Sequence, residues 1–152
     1  MGFVHNDIKL DNILVGFKDP NVIYLIDFGL ASKYTDDHND HIEKRFLKKF
    51  SGNFLFASLN SCKGNSKSRR DDIQSILYLM IFLINRGFLP WSEFNTKYEG
   101  QGKDLKFFLK ERQDVKYIRQ LFDIIPTSFN ELLNLLLTLE YDQEPPYDWV
   151  ID

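Results

Sequence analysis

The chain has 152 residues, 43% hydrophobic and 15% aromatic, which is enough for one domain with a sizeable core. A net charge of −3 speaks against a dedicated nucleic-acid binder, and the single cysteine, Cys62, excludes an internal disulfide framework and fits a reducing, intracellular compartment. No secretory signal is visible, and the longest apolar run, residues 75–84, is shorter than the ~20 residues of a membrane span, so a soluble protein with no membrane partner is expected.

The first feature along the chain is a polar cluster, HNDIKLDN, at residues 5–12. NILVG (12–16) and VIYLID (22–27) follow as short strands, and FKDPN between them has turn chemistry, so the two read as a hairpin. Residues 31–60 have no clean period and carry the charged run KYTDDHNDHIEKRFLKKF, which reads as a long ordered loop with a short helical turn. Ser68 and Asp71 then form an S-x-x-D capping box. Ile73, Ile76, Leu77, Met80, Ile81, Leu83 and Ile84 cover nearly every face of the helix that follows, which predicts a central, buried one. Gly87 ends it in the left-handed conformation, and Pro90 prevents its resumption. Amphipathic helices are expected over 103–112 and 115–125, and a third over 128–140 with Ser128 and Glu131 as its capping pair. Residues 144–150 should be extended or turn-like, because Pro145 and Pro146 do not fit a helix interior. The outline is a mainly α, α+β chain: a short β pair, then a helical bundle, in one domain over 1–152.

A polar turn would account for His5-Asn6-Asp7 alone. It does not account for Asp7, Lys9 and Asn12 in the pattern H-x-D-x-K-x-x-N, followed 15 residues after Asn12 by Asp27-Phe28-Gly29 across the hairpin. That order and spacing match the catalytic loop and metal-binding turn of phosphoryl-transfer enzymes of the kinase type. Such chemistry rests on positioning and charge. Asp7 is placed to orient a hydroxyl and accept its proton, and Lys9 to meet the transferring phosphoryl. Asn12 and Asp27 offer the hard oxygens that Mg²⁺ prefers, and Gly29 lets the chain turn sharply after Asp27.

The chain resembles the casein kinase I family of serine/threonine protein kinases through HNDIKLDNILVG, YLIDFGLASKY, SGNFLFASLN, SRRDDIQSILYLMIFL and LPW. The resemblance runs over essentially the whole chain and matches only the C-terminal helical lobe of the kinase fold, with its short β-hairpin at the catalytic loop. It implies ATP and Mg²⁺ as cofactors, Asp7 and Lys9 as catalytic residues, and Lys9, Asn12 and Asp27 at the nucleotide and metal. His5, Phe28 and Gly29 would support the site, and Asp72 would hold the catalytic-loop backbone, whereas Asp71 reads as a helix cap.

Several positions depart from the family. Asn6 replaces an arginine that pairs with a phosphorylated activation loop, so activation by loop phosphorylation at Thr35 or Ser51 is not expected. Asn53 replaces a threonine that bonds the catalytic aspartate, and its amide is expected to donate there instead. Leu77 replaces a glycine and should change packing. Leu55 replaces an arginine that helps bind a primed substrate, so a weaker preference for pre-phosphorylated substrates is expected. Asn53, Arg45 and Lys48 stand as substrate-binding residues, with the basic run Lys44, Arg45, Lys48 and Lys49 attracting acidic protein substrates.

No G-x-G-x-x-G occurs in these residues, and the N-terminal lobe reads as absent. A truncated, weakly active or inactive kinase is therefore expected, with an exposed lobe-facing surface around Phe3 and Val4 that invites a partner. A non-catalytic pseudokinase-like binding module is the alternative. A small-molecule phosphotransferase shares H-x-D-x-x-x-x-N but is disfavoured by DFG, SRRDD and ASLN. The expected location is cytoplasmic or nuclear.

Overall fold

The structure, a computed structural model, describes residues 2–47, 49–92, 110, 112 and 114–148. In chain order these form β1 (Phe3–Val4), a 3-10 turn (Leu10–Asn12), β2 (Ile13–Val15), β3 (Ile23–Leu25), a second 3-10 turn (Phe28–Leu30) and β4 (Ser32–Lys33). Four helices follow: α1 (Leu59–Cys62), α2 (Arg69–Ile84), α3 (Val115–Ile124) and α4 (Ser128–Thr138).

The expected hairpin is β2–β3, antiparallel, with Leu14 opposite Tyr24. Its turn is fixed by Asp19, whose side chain accepts from Asn21 N and whose carbonyl accepts from Val22 N. A second antiparallel pair, β1–β4, sets Phe3 against Lys33 and Val4 against Ser32. Strands of two residues have no readable period, so the sequence does not announce this pair. It turns Val4 inward to 3% exposure while Phe3 stays out. The expected apolar patch therefore excludes Val4. It continues instead over the hairpin, where Leu14, Val15, Phe17, Ile23 and Tyr24 are exposed.

α2 is the centre of the core. Its capping box is present: Asp71 Oδ2 accepts from Ser68 N at 2.8 Å. Leu77, Tyr78 and Ile81 are buried against Leu121 of α3, Leu133 and Leu136 of α4, and Leu89 and Trp91. Leu77 thus fills core volume. α2 is not buried on every face, however. Leu77 and Ile81, one turn apart, face the core, whereas Met80 and Ile84, also one turn apart, are 41% and 51% exposed together with Leu83. Past its end, Gly87 takes φ +85° and donates from its N–H to Phe82 O.

α3 is capped by Asp114, which accepts from Lys116 N. α4 starts one residue earlier than the Ser128–Glu131 pairing implies: its N-cap is Thr127, with helical backbone angles and no capping side-chain bond. Pro126 presets the first turn, and its carbonyl already accepts from Phe129 N. The helix expected over 103–112 lies outside the described residues except for Lys110 and Arg112, both helical. Residues 149–150 of the expected C-terminal turn are also outside, while Tyr147 N closes a turn onto Pro145 O.

Cys62, at the end of α1, is buried, and that burial pushes its thiol up to about 11. Alkylation at pH 8 should therefore be slow in the native protein and follow global unfolding. Fast labelling without denaturant would contradict this packing.

Candidate active site

The loop between β1 and β2 is held from three sides. Asp72, in the first turn of α2, accepts from His5 N at 2.6 Å and from Asn6 N at 3.0 Å. The His5 ring sits against Ile26 O at 2.9 Å and meets the Phe28 ring edge-on at 4.9 Å. Asn6 Nδ2 donates to Leu30 O and to Ser32 Oγ, both at 2.8 Å. Asn6 has φ +70°, a left-handed position that asparagine tolerates better than most residues. Burial pushes the Asp72 carboxyl up from its usual range, and the two N–H donors oppose that shift.

These bonds present Asp7, only 7% exposed, with its two oxygens in different surroundings. Oδ2 lies 3.0 Å from Lys9 Nζ and 3.2 Å from Asn12 Nδ2. Oδ1 is buried and has no hydrogen-bond partner among the described residues. The neighbouring carboxylate raises the Lys9 pKa above the ordinary lysine range, so Lys9 remains a cation. Asn12 Nδ2 also donates to Asp7 O at 2.9 Å. Its amide nitrogen is thus committed to the loop, and its oxygen is left as an acceptor.

Asp27 is reached across the hairpin, where Ile26 N donates to Asn12 O. The sharp turn expected at Gly29 is made by Asp27 itself, at φ +59° and ψ 74°. Gly29 supplies room instead. Its N–H donates to Asp27 Oδ1, and a Cβ there would lie 3.1 Å from that oxygen.

Asp71 has a second partner beyond its cap. It accepts a hydrogen bond from Ser58 Oγ, which also caps α1, so the start of α1 and the start of α2 are tied together. Burial pushes the Asp71 carboxyl up as well.

Asp7, Lys9, Leu30, Gly52, Asn53 and Phe54 line an open cavity of about 340 Å³. The expected donation from Asn53 to Asp7 is not formed. Asn53 Oδ1 accepts from Phe56 N at 3.1 Å, a local turn that holds this side chain within its own loop. Arg45 lines a neighbouring cavity of about 380 Å³ with Lys33, Ser51, Ser66 and Lys67. Lys48 lies outside the described residues. Lys67 belongs to no motif, yet its Nζ donates to Asn6 O at 2.7 Å and Ser51 O at 2.8 Å. The only sequence signal for it is a lysine directly before the Ser68 cap.

A family model, protein kinase domain, matches residues 1–145. The chain belongs to the protein kinase family. Protein kinases move the terminal phosphoryl of ATP to a protein hydroxyl, with Mg²⁺ as counter-charge. The donor set of this kinase domain fits that pair. The Asp27 carboxylate and the Asn12 amide oxygen are hard oxygen donors of the kind Mg²⁺ prefers, and they would hold it together with the phosphates. Among the described residues of the kinase domain, no helix is long and apolar enough to cross a membrane.

Proposed function

We propose that the chain is the C-terminal lobe of a serine/threonine protein kinase of casein kinase I type, acting on acidic protein substrates. The observation that carries this reading is the split carboxylate of Asp7, a residue that lines the open recess: one oxygen is held by Lys9 and Asn12, and the other is buried with no hydrogen-bond partner among the described residues. Oδ1 would orient the attacking hydroxyl and take its proton, while the bond from Asn12 keeps the carboxylate from rotating. Lys9 reaches the same recess as a cation. Bound ATP and Mg²⁺ would supply the phosphoryl group and its counter-charge, with Asn12 and Asp27 holding the metal. His5, Phe28 and Asp72 support the loop from behind. Arg45 and Lys33 line a cavity that shares Leu30 with the recess, and with the Lys44 to Lys49 run they favour an acidic flank on the substrate.

The hairpin surface, with Leu14, Val15, Ile23 and Tyr24 exposed, supports a further element of this reading: an apolar partner covers it, as a nucleotide-binding lobe would. A polypeptide of these 152 residues contains no glycine-rich phosphate loop and is expected to phosphorylate slowly; joined to a lobe that supplies one, it should gain activity.

The test is phosphate transfer from labelled ATP to three acceptors: a serine peptide with acidic flanks, the same peptide with tyrosine, and small alcohols. Transfer to the serine peptide is expected, reduced at least about tenfold by Arg45→Glu with Lys33→Glu. Preferential transfer to tyrosine or to small alcohols would overturn the assignment.

A further inference from the structure

Lys67 lies just before α2, and its Nζ joins two stretches of chain that are distant in sequence. It donates to Asn6 O, the carbonyl directly before Asp7, and to Ser51 O, the carbonyl directly before Gly52. The Phe50 ring lies 5.7 Å from the same nitrogen. The two stretches meet so closely that Gly52, at φ +91°, has no room for a side chain: a Cβ would fall 2.4 Å from Asn6 O and 2.9 Å from Lys67 Nζ. The loop that begins there, Gly52 to Phe54, forms one wall of the recess, and Asp7 with Lys9 forms the other.

An ammonium suits this position, because it has three donors and no acceptor and can bond two carbonyls at once. Its own burial is unfavourable and lowers its pKa, and the carboxylates of Asp72, Asp71 and Asp7 offset that cost. Asn6 uses its side chain elsewhere, on Leu30 and Ser32, so within this contact the bridge between the two walls is Lys67.

We propose that Lys67 is a positioning residue for the acceptor substrate: a built-in cationic bridge that holds the Ser51–Phe54 wall against the catalytic loop and so sets where a substrate hydroxyl meets Asp7. This rests on the kinase reading given above and adds how the acceptor side of the site is ordered. The positive charge comes from the chain itself, so the order of this wall does not depend on phosphorylation of Thr35 or Ser51. The nucleotide side, at Asn12 and Asp27, is not touched by the bridge.

The experiment compares unsubstituted protein, Lys67→Met and Lys67→Arg, each carrying whatever nucleotide-binding lobe the active enzyme requires. Three readouts are taken: amide hydrogen exchange, peptide phosphorylation, and hydrolysis of ATP with water as acceptor. Lys67→Met should speed exchange over residues 50–54 about tenfold or more, with α2 still protected. It should lower kcat/KM for peptide by about tenfold or more, while ATP hydrolysis and KM for ATP change less than about twofold. Lys67→Arg, which keeps a charge and several donors, should recover most of both.

Unchanged exchange at 50–54 in Lys67→Met overturns the proposal, whatever the activity. Raised exchange with undiminished peptide transfer also overturns it, as does an equal fall in peptide transfer and ATP hydrolysis. Loss of protection throughout α2 in both variants would assign Lys67 to the fold alone and overturn it too. If the unsubstituted protein transfers no phosphate to peptide, the kinase reading fails first and the role of Lys67 falls with it.

Discussion

Asp7→Asn is expected to lower peptide phosphorylation by about 10²–10⁴-fold, the range for loss of a positioned general base. The amide has the same shape and still has one oxygen for Lys9 or Asn12, so the loop should keep its form. It does not accept a proton from the attacking hydroxyl, and its NH₂ group would place donors where a carboxylate oxygen now only accepts. Steady-state kinetics with peptide and ATP would measure it, with nucleotide affinity changing by no more than about twofold. A loss of less than about tenfold would remove Asp7 from the role of base.

The second large effect is on stability. Asp72→Ala should cost about 2–5 kcal/mol, because His5 N and Asn6 N would lose their acceptor in a largely enclosed site, at about 1–3 kcal/mol each. Removing a buried charge returns part of its desolvation cost, since burial already disfavours the charged carboxyl. Two unpaired N–H groups still outweigh that gain. Against the ~5–15 kcal/mol of a typical domain, this is a large fraction. Asp72→Asn keeps one acceptor and should recover roughly half. Urea midpoints at constant slope would measure both variants. An alanine variant within about 0.5 kcal/mol of the parent would show that Asp72 does not hold the loop.

What was legible in the sequence follows from how local each signal is. The α2 helix announces itself through an apolar run, a cap and a terminal glycine within twenty residues, and the structure has all three. The hairpin and the spacing from Asp7 to Asp27 are also local, because one turn joins the two strands. Legibility ends where distant segments meet. The β1–β4 pair joins residues thirty apart through two-residue strands, too short for alternation to show. Lys67 reads as an ordinary charge until the chain from Ser51 folds back onto it. Asn53 is expected to serve Asp7 by analogy of position, but a local turn, in which its Oδ1 accepts from Phe56 N, holds its side chain within its own loop. The α2 helix shows the opposite limit: composition alone does not separate its inward Leu77 and Ile81 from its outward Met80 and Ile84.

The small β1–β4 ladder has one more consequence, for how the gene can change in length. β1 leads directly into the loop that bears Asp7, and β4 follows directly after the turn that bears Asp27. Their register is Val4 opposite Ser32, and a slip of one residue would turn Val4 to solvent and displace the chain by ~3.3 Å. Both ends of the segment from His5 to Ala31 are therefore pinned. An inserted or deleted codon there is best accommodated at the exposed tip between Gly16 and Val22, where one turn joins the two strands. Elsewhere in this stretch, a change of one residue would move Asp7 relative to Asp27.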